Sequence, residues 1–214
     1  TFKGLVNYPA NGRIDLMSIR VTNPDTWIFG PELVYSWISG ERSVYPKSLI
    51  YPPGTSSEEE KKQSTADMVK SQDKAITAAV NYLQSHPEIM ANSKSQGVER
   101  ASQLDGEKIV FKVGETGGPS GGLVFSIGLV ELLTEKDLLQ GRHIAGTGTI
   151  TERGVVGPIG GINEKIISAH KVGATVFFAP VDNAEEIGEL PDGIKVITVA
   201  TLAQAINYLE RSSK

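Results

Sequence analysis

The chain has no cysteine among its 214 residues, which excludes disulfides, thiolate metal ligands and a cysteine nucleophile. It leaves the compartment open, because a cysteine-free protein suits oxidising and reducing spaces alike. Histidine is scarce: His86, His143 and His170 are the whole supply. No apolar run approaches the roughly 18 residues a membrane span requires, since Gly, Pro or a charge interrupts each one. There is no cationic excess either. Lys and Arg number 21 against 25 Asp and Glu, a net charge of -4, which argues against a phosphate-neutralising surface and against nucleic acid as a partner. No Gly-x-x-x-x-Gly-Lys-Ser/Thr stretch exists in these residues, so they hold no phosphate loop for ATP hydrolysis. Glu115, Asp137 and Glu164 lack metal-ligand spacing with any histidine. Neither a metal nor a cofactor is expected. The chain opens at Thr1 without a basic-then-apolar leader, the expectation for a processed or trimmed form.

What is present describes a folding chain, 39% hydrophobic and 21% charged, of a length that suits one domain. Alternation over 12–22 predicts a strand. Residues 23–54, rich in Pro and aromatics, predict irregular structure around one short helix near 31–38. The charge run EEEKK at 58–62 leads into an amphipathic helix through residue 83, with Met68, Ala75, Ile76, Ala79 and Leu83 at helical spacing. A polar connector follows over 84–106, then a strand at 109–113. The Gly-rich loop GETGGPSGG at 114–122 opens a buried helix over 123–133. A strand at 143–150, a glycine-rich hairpin or loop at 152–161, and a helix at 162–173 closed by Gly173 come next. The remainder predicts a buried strand at 174–180, a short helix at 183–190, a strand at 195–200 and a C-terminal amphipathic helix from Thr201. The alternation implies an α/β or α+β domain with a mixed sheet.

Ser120 lies between Gly-Gly-Pro and Gly-Gly at the start of the buried helix. A hydroxyl there can be held on a tight turn, with loop and helix N-terminal amides at Gly118, Ser120 and Gly121 available for an oxyanion. The same local sequence also suits a plain serine N-cap. A serine nucleophile needs a base. None of the three histidines sits in a context that supports a Ser-His-Asp triad. Lys165 falls on the apolar face of its helix, three residues from Ile162 and four from Ala169, with no carboxylate at i−4 or i+4. A lysine so placed is desolvated, which favours the neutral amine, although most such lysines reach water along their stems. Thr147, within GTGTI, is placed to hydrogen-bond that amine, or to serve only as a strand residue.

Taken together, GGPSGG at 117–122, GTGTITERGVVGPIGGINEKI at 146–166 and the continuation SAHKVGATVFFAP resemble the proteolytic domain of Lon proteases. There the pattern is Gly-Pro-Ser-Ala-Gly, then Thr-Gly-Glu-Ile-Thr-x-x-Gly-x-Val-x-Pro-Ile-Gly-Gly-x-Lys-Glu-Lys. By position the resemblance puts the nucleophile on Ser120, the catalytic lysine on Lys165 and the lysine-contacting threonine on Thr147. It implies a Lon proteolytic-domain fold, a single domain over 1–214 with its catalytic core at 107–214, hydrolysis of unfolded or delivered protein substrates, and a hexameric ring.

Four positions depart from the pattern: Gly117 stands for the usual Asp, Gly121 for Ala, Gly148-Thr149 for Gly-Glu, and Asn163 for the first Lys. Gly117 resembles the ATP-independent Lon-like peptidases that carry a PDZ module and a membrane anchor outside the cytoplasm. The PDZ module would fall at 84–106, where only a polar connector stands. Localisation stays open between the outer face of a bacterial membrane and the cytoplasm. Residues 23–60 have no counterpart in the pattern. Two other readings compete: a non-catalytic Lon-like assembly domain, and a phosphate-binding enzyme using the Gly-rich loop.

Overall fold

A computed structural model describes residues 10–39, 43–90, 111 and 116–211. Four strands form a sheet in the order β1-β2-β5-β6, every neighbouring pair parallel: β1 Arg13–Leu16, β2 His143–Gly146, β5 Val176–Pro180 and β6 Lys195–Val199. Two short strands, β3 Thr149–Ile150 and β4 Val156–Gly157, pair antiparallel, so the expected strand at 143–150 breaks after Gly146 and its last two residues join the first part of the glycine-rich stretch in a hairpin. The result is an α/β architecture of mixed parallel and antiparallel pairing.

Parallel strands buried on both faces read as continuous apolar runs, and β5 is buried at all five positions. Successive side chains alternate faces. Ile144, Val176 and Phe178 join the larger core with α3 Ser57–Ser85, α4 Gly122–Leu133 and α6 Leu202–Arg211. Ala145, Phe177 and Ala179 turn the other way, onto Ile162, Ile166 and Ala169 of α5 Ile162–Lys171. Phe177 and Phe178 are adjacent in sequence and fully buried on opposite sides.

Several elements differ from expectation for identifiable reasons. β1 spans four residues rather than eleven, because its partner β2 ends at Gly146 and Met17 makes the last backbone bond, to the Gly146 carbonyl. α3 starts at Ser57, ahead of the charge run, under a reciprocal capping box between Ser56 and Glu59. α5 closes as expected at Gly173, whose φ of 85° suits glycine; its N–H and that of Ala174 donate to the carbonyls of His170 and Ala169, a Schellman ending. The segment expected as a helix at 183–190 is a 3₁₀ turn over Val181–Glu186. Residues 23–54 carry α1 Gly30–Ser39 and a single turn, α2 Lys47–Ile50. The expected strand at 109–113, except Phe111, and the connector from residue 91 lie outside the described residues.

Candidate active site

The loop before α4 is held from two sides. From α3, the Ser64 carbonyl accepts the Gly118 N–H at 2.8 Å, and the buried Ser71 hydroxyl donates to the Pro119 carbonyl at 2.9 Å. Gly117 lies close against α3, where a Cβ would meet the Ser64 hydroxyl and turn it aside. From the sheet, the link between β2 and β3 supplies two donors to the Ser120 carbonyl: the Gly148 N–H at 2.8 Å and the Thr147 hydroxyl at 3.2 Å. Gly122 lets the start of α4 press on β3, where a Cβ would meet Ile150 Cγ2 at 2.7 Å.

The N-cap of α4 is Gly121, with no side-chain cap bond. Ser120 lies outside that position, so the plain N-cap alternative does not describe its hydroxyl. One amide of the expected loop set is already engaged: the Gly118 N–H donates to the Ser64 carbonyl on α3, and Pro119 has no N–H. The remaining amides of the expected set are those of Ser120 and Gly121.

A cleft of about 550 Å³ is lined by Pro119, Ser120, Thr149, Pro158, Ile159, Gly160 and Lys165. Lys165 is 3% exposed, set inward by the α5 face that buries Ile162, Ile166 and Ala169. Burial pushes its amine down from 10.5 to about 8, against a small opposing effect of the Glu164 charge. The Lys165 amine donates to Thr147 Oγ1 at 3.3 Å. Thr147 is fully buried and has one hydroxyl proton, which goes to the Ser120 carbonyl. Its oxygen therefore acts as acceptor toward Lys165. A single threonine thus joins the lysine to the backbone of the serine.

The histidines lie elsewhere. His143 pairs with Asp15 at 2.9 Å between β1 and β2, His86 stacks on Tyr82 and contacts its carbonyl, and His170 sits in the last turn of α5. None lines the cleft.

Two asparagines, Asn183, which the sequence reading does not single out, and Asn163, brace the cleft wall. Fully buried Asn183 accepts the Ile159 N–H at 3.0 Å and donates to the Ile159 carbonyl at 2.9 Å. Asn163, the departure noted two residues before Lys165, donates to the Glu186 carbonyl at 2.8 Å and accepts the Gly188 N–H at 2.9 Å. Together they tie the 3₁₀ turn and its exit to the cleft wall and to the start of α5.

An α/β domain whose loop serine lines one cleft with a buried lysine of lowered basicity has the equipment of a serine hydrolase. A family model, "Lon protease (S16) C-terminal proteolytic domain", matches residues 56–210, and the chain belongs to that family; its enzyme class is serine peptidase. Curated relatives include Lon protease 1 of Bacillus subtilis (strain 168), 41% identical over 78 residues, 36% of this chain and 10% of that protein. Another is the Lon protease of Chloroflexus aggregans, 40% identical over 77 residues, 36% of this chain and 9% of that protein. That of Desulfosudis oleivorans is 42% identical over 78 residues, 36% and 9% of the two chains. The matched span thus covers about a tenth of the length of these relatives.

Proposed function

We propose that the chain is an endopeptidase with a Ser-Lys dyad, in which Ser120 is the nucleophile and Lys165 the general base. The observation that carries this reading is the buried Lys165, its amine lowered to about 8, hydrogen-bonded to Thr147 and sharing one cleft with Ser120. In the neutral amine an N–H goes to Thr147, leaving the nitrogen lone pair for the Ser120 hydroxyl. Lys165 takes the hydroxyl proton as Ser120 Oγ bonds to the scissile carbonyl carbon, and passes it to the departing amine. Water then hydrolyses the ester of Ser120 with the lysine again as base. The Ser120 and Gly121 amides hold the oxyanion in both steps.

The substrates of this reading are unfolded proteins or peptides, or proteins delivered by another factor, cleaved without nucleotide; the missing phosphate-loop sequence supports that for these residues. We further propose one Lon-like domain over 1–214, with the N-terminal strand, insertion and helix in 12–83, the connector in 84–106 and the catalytic core in 107–214. The working unit is a homohexameric ring. A PDZ module at 84–106 and a membrane anchor belong to the longer arrangement that Gly117 suggests. Both rest on resemblance, and no described helix is long and apolar enough to cross a membrane.

The assembly-domain reading leaves the retained Ser120 and Lys165 without a use. The phosphate-binding reading needs an acidic catalytic residue beside a basic clamp, and no carboxylate stands among the described residues lining the cleft. The test is mass-spectrometric mapping of fragments from an unfolded protein, with Ser120→Ala beside the parent. Cuts made by the parent and missing with Ser120→Ala support the reading, and equal fragmentation by both refutes it.

A further inference from the structure

We infer that Ser71, on α3, is a positioning residue for the oxyanion site, acting through the peptide plane between Pro119 and Ser120. The inference rests on the reading of Ser120 as nucleophile and extends it to a residue 48 positions before Pro119 in the chain.

The argument is one of amide geometry. A trans peptide is planar, with its C=O and N–H pointing in opposite directions, so fixing the carbonyl fixes the direction of the N–H. Two peptide planes flank Ser120, and both have their carbonyls held. The Pro119 carbonyl accepts from Ser71 Oγ at 2.9 Å, which turns it toward α3 and sends the Ser120 N–H away from α3. The Ser120 carbonyl accepts from Gly148 and Thr147 on the sheet side, which sets the Gly121 N–H. These are the two amides left for the oxyanion once Gly118 is committed to the Ser64 carbonyl.

The second plane has two donors, one of them backbone, and is over-determined. Among the described residues, the first is held by one hydroxyl. Ser71 is 3% exposed, so water is poorly placed to replace it. Nothing else in its packing requires a hydroxyl: the neighbouring buried positions of α3, Met68, Ala75 and Ile76, are apolar. Serine in a helix interior carries a propensity penalty relative to alanine, which this contact offsets. Removal of the hydroxyl frees the Pro119–Ser120 plane to rotate and lets the Ser120 N–H drift from its aim. Outright loss of an oxyanion donor costs on the order of 10²–10³ in kcat, and misalignment of one costs about 10- to 100-fold.

The test compares the parent with Ser71→Ala and Ser71→Thr on an internally quenched peptide that the parent cleaves. It adds the affinity of a peptide boronate, whose tetrahedral adduct on Ser120 fills the oxyanion site, and of the uncleaved peptide on a Ser120→Ala background. With Ser71→Ala we expect kcat to fall about 10- to 100-fold with KM within twofold, boronate affinity to fall by a similar factor, and peptide affinity on Ser120→Ala to hold. The midpoint of the kcat/KM pH profile stays where it was, because Ser71 does not touch Lys165. Ser71→Thr, which keeps the hydroxyl, recovers most of the loss. Should its added methyl unfold the chain, the Ser71→Ala boronate arm decides alone. Parent-like kcat and boronate affinity in Ser71→Ala overturn the inference, as does a rise in KM with kcat intact. Failure of the dyad reads differently: Lys165→Ala that keeps turnover removes the base and leaves the Ser71 result standing, whereas cleavage by Ser120→Ala removes both.

Discussion

On the proposed dyad, Lys165 sets the pH at which this site works. With its amine at about 8, about 9% is neutral at pH 7, against about 0.03% for an ordinary lysine at 10.5. Burial therefore raises the concentration of competent base about 300-fold at that pH. If the neutral amine is the base, kcat/KM for a quenched peptide rises nearly tenfold from pH 6 to 7, bends near 8 and levels off by about pH 9. The same burial has a thermodynamic signature of opposite sense. Between about 8 and 10.5 the unfolded chain holds the proton that the folded chain has released, so stability rises with pH across that window. Below it the charged ammonium costs folding about 3 kcal/mol at most. Lys165→Met, similar in volume and uncharged, should be more stable than the parent at pH 7, by about 1–3 kcal/mol. That advantage shrinks toward pH 10.5, read from denaturant midpoints of both proteins at each pH. A kcat/KM midpoint near 10.5, or a histidine-like one near 6.5, would refute the reasoning. So would a Lys165→Met protein that is less stable at pH 7.

Three further outcomes are expected. Thr147→Val removes the 3.3 Å partner of Lys165 but leaves the Gly148 bond to Ser120, so kcat should drop about tenfold, within general-base magnitudes; a steady-state assay showing loss as deep as Ser120→Ala would contradict it. Asn183→Ala strands the backbone N–H and C=O of Ile159 and should cost about 2–3 kcal/mol, seen as a lowered Tm, with an unchanged Tm refuting the clamp. Magnesium ATP should leave cleavage of an unfolded substrate by the purified chain unchanged. A strict nucleotide requirement would end that proposal.

The parts of this site written in local sequence were legible; the parts written in tertiary contact were not. The inward setting of Lys165 follows from Ile162 and Ala169 at helical spacing, and the end of α5 from Gly173, because both signals lie within a few residues. The start of α3 was also local, in Ser56-x-x-Glu59, but the charge run that follows drew the boundary later. β1 is shorter than its alternation because strand length is set by a partner more than 120 residues away in the chain. Ser71 and Asn183 look like ordinary polar residues in a helix and a turn, and they gain meaning only against Pro119 and Ile159. The commitment of the Gly118 amide needed the position of Ser64, which no local pattern supplies.

The central claim is that Ser120 and Lys165 act as one unit. The most direct measurement is kcat on one quenched peptide for Ser120→Ala, Lys165→Ala, Lys165→Arg and the Ser120→Ala/Lys165→Ala double variant. Groups that act together lose activity non-additively, and arginine keeps the charge but cannot release its proton. The account predicts that all four fall to the same residual rate. Near-parental turnover with Lys165→Arg, or a double variant far below either single one, would contradict it.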